Sequence, residues 1–131
     1  MLADGVKITI GGKELTLILN TEAMAQLADE YGDIEGVGER LENATYSEKI
    51  RILPRLTALL DTQGEAVKGC GDVIEPEFIM RYTLPCHIPM LTDAFQRAVA
   101  IGMNIAVEKP NEDTDVVLEQ IQKNAPGAAG N

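Results

Sequence analysis

The sequence predicts an α+β fold that is mostly helical, with one N-terminal β-hairpin packed on a bundle of four or five short helices. Over residues 6–19, apolar side chains recur at every second position around Gly11-Gly12, the period of half-buried strands. From there to about residue 104 the apolar spacing changes to i, i+3, i+4, i+7, the period of helices with one buried face. The chain has no Trp, two Phe and three Tyr. Its core must therefore rest on Leu, Ile, Val, Ala and Met, as small helical domains do.

In the hairpin, Val6, Ile8 and Ile10 alternate with Lys7 and Thr9. Gly11-Gly12 reaches positive φ without a Cβ clash, so the chain can turn back tightly. Leu15, Leu17 and Leu19 then alternate, and either plausible turn register puts both apolar triplets on one face. Asn20 or Thr21 caps the next helix, whose stripe is Met24, Leu27, Ala28 and Tyr31, and Gly32 suits its end. Asp33 caps a weaker segment reaching Asn43, with Ile34, Val37 and Leu41 on one side. Gly36 and Gly38 each weaken it by about 1 kcal/mol relative to Ala, so a turn or two is expected.

Ser47 caps a helix over 48–62, with Glu48 at its positive end. Ile50, Leu53, Thr57 and Leu60 form one stripe, and Ile52, Leu56 and Leu59 lie beside it. So wide an apolar face predicts a central helix with several neighbours. Pro54 in its interior predicts a kink. Residues 64–71 are ambiguous: the helix either ends near 62 or resumes weakly through Val67 before stopping at Gly69 and Gly71. Pro76 opens a short segment over 77–82 with Phe78 and Ile79 inward. Pro85 and Pro89 fit the first turn of a last helix, whose stripe is Ile88, Leu91, Phe95, Ala98 or Val99, and Gly102.

The composition shifts after residue 107. Residues 1–107 read as a single globular domain, and 108–131 as an acidic, largely mobile tail. Within it Val116, Val117, Leu118 and Ile121 predict a short helix over 114–123, marginal without a partner or a core to settle on.

At 131 residues, 45% hydrophobic and 24% charged, the chain suits one domain that buries roughly 65–70% of its unfolded surface. Net charge is −10, and seven acids against one base fall within residues 22–42. An acidic chain without a basic stripe argues against nucleic acid and against anionic lipid. Cys70 and Cys86 give no disulfide framework and fit a reducing cytoplasm. No signal peptide is expected, and no apolar run approaches the ~18 residues of a membrane span.

No motif here demands catalysis. His87, Cys86 and Cys70 lack the four ligands and paired spacing of a zinc site, and Cys86-His87 lacks an orienting partner for nucleophilic work. Glu22, Asp29, Glu30, Asp33, Glu35, Glu39 and Glu42 lack the calcium-loop spacing and read as a solvated face. The glycine pairs match no phosphate loop. Arg51 and Arg55 either grip an acidic partner or answer nearby acids such as Glu48. Met24, Met80, Met90 and Met103 either fill core gaps or build an adaptable binding surface. No catalytic residue, cofactor or metal is expected. The candidate partner-binding residues are Met80, Met90, Leu91, Phe95 and Met103.

The hairpin KITIGGKELTL (7–17) running into the helix NTEAMAQLADEYG (20–32) resembles the start of a phage tail assembly chaperone, a family of small acidic proteins of long-tailed phages and prophages. The likeness extends more loosely through the helices to about Asn104 and into the acidic tail. It lies in the order of elements, with no invariant catalytic motif. It implies a protein of the host bacterial cytoplasm, not an enzyme, that binds the tape measure protein and keeps it soluble. It further implies a homo-oligomer, absent from the mature virion, that helps recruit tail tube protein through a longer frameshifted form. This chain resembles the short form. A different class, a small structural virion protein of the head–tail joining or tail terminator kind, is the alternative. An acidic nucleic-acid mimic ranks last, since many of its acids fall in a weak, Gly-containing segment.

Overall fold

Gly11 and Gly12 take φ of 58° and 79°, the paired positive values of a type I′ turn. They join β1 (Val6–Ile10) to β2 (Lys13–Leu17). The antiparallel register sets Val6 against Leu17, Ile8 against Leu15 and Ile10 against Lys13. One face of the hairpin is therefore apolar, as the alternation predicts, and Leu15 and Leu17 are fully buried. The computed structural model describes residues 5–69, 71 and 73–105. Within them the hairpin is followed by five α-helices, so the fold is α+β and mostly helical. The predicted tail over 108–131, its helix over 114–123 and Cys70 lie outside the described residues.

α1 (Thr21–Tyr31) is capped by Asn20, whose side chain accepts the Ala23 amide at 2.9 Å. α2 (Ile34–Glu42) is a full helix, longer than expected, capped by Asp33 through the Gly36 amide at 2.7 Å. Gly36 does more than weaken it. A Cβ there would lie 2.0 Å from the Tyr31 carbonyl oxygen, so the tight α1–α2 corner needs a residue without one.

α3 (Tyr46–Lys68) is the central element and touches β2, α1, α4 and α5. Its cap is Thr45, not Ser47. Thr45 Oγ1 accepts the Glu48 amide at 3.1 Å, and Glu48 accepts the Thr45 amide at 2.9 Å, a reciprocal capping box. The helix passes its predicted end at residue 62 and stops at Gly69, which is left-handed at φ 84°. Gly64 in its interior is no breaker. A Cβ on it would sit 1.9 Å from the Thr16 carbonyl oxygen, so glycine lets α3 lie against the backbone of β2. At the same contact the Thr16 amide donates to Asp61 Oδ1 at 2.9 Å, and the Ile18 amide to the Leu60 carbonyl at 3.2 Å. The outer edge of β2 is thus closed by a helix instead of a third strand, which removes a pairing hazard.

α4 (Pro76–Tyr82) and a 3-10 turn (Pro85–His87) lead into α5 (Ile88–Gly102). Leu27, Leu53, Leu60, Ile79 and Leu91 meet the hairpin leucines in one core. Ion pairs lie outside it. Arg55 answers Glu30 of α1 at 3.0 Å instead of Glu48, and Glu48 pairs with Arg40 at 3.3 Å. Exposed pairs of this kind add little stability. Among the described residues no helix is long and apolar enough to cross a membrane.

Candidate functional site

An apolar cleft of about 390 Å³ opens where the end of β2, the start of α1 and the last turn of α5 converge. Local chemistry holds each wall. Asn20 caps α1 and also donates from its side chain to Gln63 Oε1 of α3 at 3.1 Å, fixing the β2–α1 connector. Gly102 brings α5 against that connector, since a Cβ there would fall 2.5 Å from the Leu19 carbonyl oxygen. α5 then ends in a Schellman arrangement: Asn104 is left-handed at φ 55°, its amide bonds the Ile101 carbonyl, and the Ile105 amide bonds the Ala100 carbonyl at 2.8 Å. Three large apolar residues at this helix end are exposed, Ile101 at 46%, Met103 at 43% and Ile105 at 57%. Ile101 and Met103 line the cleft beside Met24, Leu17 and Ile18.

A second apolar area lies around α4 and the turn after it. Met80, Tyr82 and Leu84 are exposed, and Val73 and Val67 add to the exposed apolar surface. The rings of Phe78 and Tyr82 stand 4.8 Å apart at 45°. They back the hairpin tip, where a Cβ on Gly11 would come within 2.9 Å of Tyr82.

The predicted partner-binding residues do not form one surface. Met103 lines the cleft and Met80 is exposed on α4. Met90 is half-buried and packs against the core. Leu91 and Phe95 are corrections: at 0% and 5% exposure they are core residues of α5 and present nothing to a partner. Both point inward with Ala94 and Ala98 toward the rest of the core. The sequence reading missed Ile101, Ile105 and the connector 17–21. Ile101, three residues after Ala98, continues the flank of the stripe that carries Leu91, Phe95 and Ala98, so its spacing alone does not mark it as exposed.

The polar candidates are committed elsewhere. His87 Nδ1 accepts the Leu84 amide at 2.9 Å and so caps the 3-10 turn, while Cys86 is exposed. Glu35, Glu39 and Glu42 line an open acidic trough of about 630 Å³ between α2, α3 and α5, with Lys49 on its wall. Among the described residues no group of three or more His, Cys, Asp or Glu is placed to hold a metal ion.

One polar network is buried, at the β2–α3 contact. Asp61 is fully buried; Oδ1 takes the Thr16 amide, and Oδ2 has no hydrogen-bond partner among the described residues. Glu65, one turn on and also buried, is paired with Lys68 at 3.4 Å, and Lys68 donates to Thr16 Oγ1 at 3.1 Å. Burial pushes the Asp61 carboxyl above its ordinary value of 3.8; the Glu65 charge adds to this, and the Thr16 amide, Lys13 and Lys68 oppose it. A raised carboxyl stabilises the fold fully below the unfolded value and loses that contribution as pH rises through the folded one. Urea titrations of Asp61→Asn should therefore show the variant gaining on the wild type as pH rises above the ordinary carboxyl value of 3.8. A difference that stays constant with pH would contradict this assignment.

Comparison of the chain with protein-family models, with curated proteins and with solved structures finds no match.

Proposed function

We propose that this protein is a phage tail assembly chaperone that binds the tape measure protein, keeps it soluble and helps recruit tail tube subunits. One observation supports the reading most: an apolar cleft lined by exposed Ile101 and Met103 on a chain of net charge −10. Grouped exposed apolar side chains are the mark of an interaction site, and a long helical partner has apolar stripes to place in such a groove. The seven acids over residues 22–42 keep the loaded assembly dispersed by mutual repulsion. The chain works in the host bacterial cytoplasm as a homo-oligomer and leaves before the virion is complete. It makes and breaks no covalent bond. Tail tube protein is recruited through a longer frameshifted form.

Co-expression with a cognate tape measure protein tests this. The expected result is a soluble complex where the tape measure protein alone precipitates; continued precipitation counts against the reading. Mass spectrometry of purified particles should lack this chain. Its presence would favour a head–tail joining or tail terminator component.

A further inference from the structure

The two edges of the hairpin end differently. On β2 the outward groups of Thr16 and Ile18 meet Asp61, Leu60 and Gly64 of α3. The ladder bonds then fall on Val6, Ile8 and Ile10 opposite Leu17, Leu15 and Lys13, so the outward groups of β1 belong to Lys7 and Thr9. Both residues are exposed. Their main-chain N–H and C=O groups make no hydrogen bond to any described residue, and among the described residues the sheet has two strands. Among these residues β1 is an open edge.

We propose that this edge pairs with the same edge of a second copy of this chain, about a two-fold axis through Ile8, to form a four-stranded antiparallel sheet across a dimer. Three features select this occupant and register. First, Lys7 then stands opposite the partner's Thr9 and Thr9 opposite the partner's Lys7, and each pair exchanges two main-chain hydrogen bonds. Second, Thr9 pairs with Glu14 inside each hairpin. Strands lie ~4.8 Å apart, so the Lys7 side chain reaches past the partner's Thr9 to the partner's Glu14, and symmetry makes that contact twice. An axis through Lys7 instead would set lysine against lysine. Third, Val6 and Ile8 are only half-buried on the apolar face, and the added strand covers both. An edge lysine usually deters pairing; about this axis it meets an acid.

The pairing gives a location to the self-association within the proposed function. It is tested on the protein alone, so its failure leaves the partner reading standing. Sedimentation velocity of the full chain over a concentration series should show a monomer–dimer equilibrium. Lys7→Glu, which sets like charges together across the axis, should weaken it about tenfold, and the double variant Lys7→Glu/Glu14→Lys should restore it. Thr9→Pro removes an outward amide without touching the ladder, and should abolish the dimer while far-UV circular dichroism stays unchanged. A monomer at all concentrations would overturn the proposal. So would a dimer indifferent to both Lys7→Glu and Thr9→Pro.

Discussion

Gly64→Ala should lower the unfolding free energy by about 3 kcal/mol, although alanine is the better helix former by about 1 kcal/mol. The added methyl would sit 1.9 Å from the Thr16 carbonyl oxygen, a backbone atom that cannot rotate away. Either α3 or β2 must move. Movement loosens the Thr16–Asp61 and Ile18–Leu60 hydrogen bonds and exposes part of the core behind the hairpin. Urea unfolding followed by circular dichroism measures the loss, and the thermal midpoint should fall by roughly 10 °C. Gly38→Ala is the matched control. It is also inside a helix, but nothing lies within 4 Å of its added Cβ. That variant should be neutral or stabilised by up to about 1 kcal/mol. Equal effects at the two positions would mean that α3 and β2 are not in backbone contact.

Phe95→Ala should lose about 3–5 kcal/mol, the usual range for emptying a buried aromatic site. Phe95 is 5% exposed and shares the core face of α5 with Leu91, Ala94 and Ala98. Part or all of the population unfolds at 37 °C, and any loss of partner binding follows the loss of fold. Ile101→Asp with Met103→Asp is the contrasting variant. Both side chains are over 40% exposed on the same helix end, so the unfolding free energy should change by within about 0.5 kcal/mol per site. Partner retention should nevertheless drop, because the cleft rim becomes charged. If Phe95→Ala keeps its stability, the core assignment of α5 fails.

These variants also mark how far the sequence could be read. The hairpin was legible because Gly11-Gly12 and the alternation around it are local signals with one physical solution. The caps at Asn20 and Asp33 were legible for the same reason. The length of α3 was not. Gly64 left the stretch after residue 62 ambiguous, since its purpose is a contact with Thr16, far away in the chain. The buried Asp61 escaped notice likewise: alone it is one polar residue on a helix, and only the hairpin edge gives it a donor. For α5 the stripe through Leu91 and Phe95 was read correctly as apolar. Periodicity says which face avoids water, yet it does not say whether the chain's own core or another chain covers it. Here the core took that face, and the exposed apolar side chains Ile101 and Met103 sit at the helix end, where a left-handed Asn104 closes the last turn.

The central claim is that the exposed apolar rim of the β2–α1–α5 cleft holds another chain. The most direct measurement is the soluble yield of a cognate tape measure protein co-expressed with the wild type or with Ile101→Asp/Met103→Asp. The account predicts a soluble complex with the wild type and precipitation with the folded double variant. Equal yields from the two, or no rescue by the wild type, would contradict it.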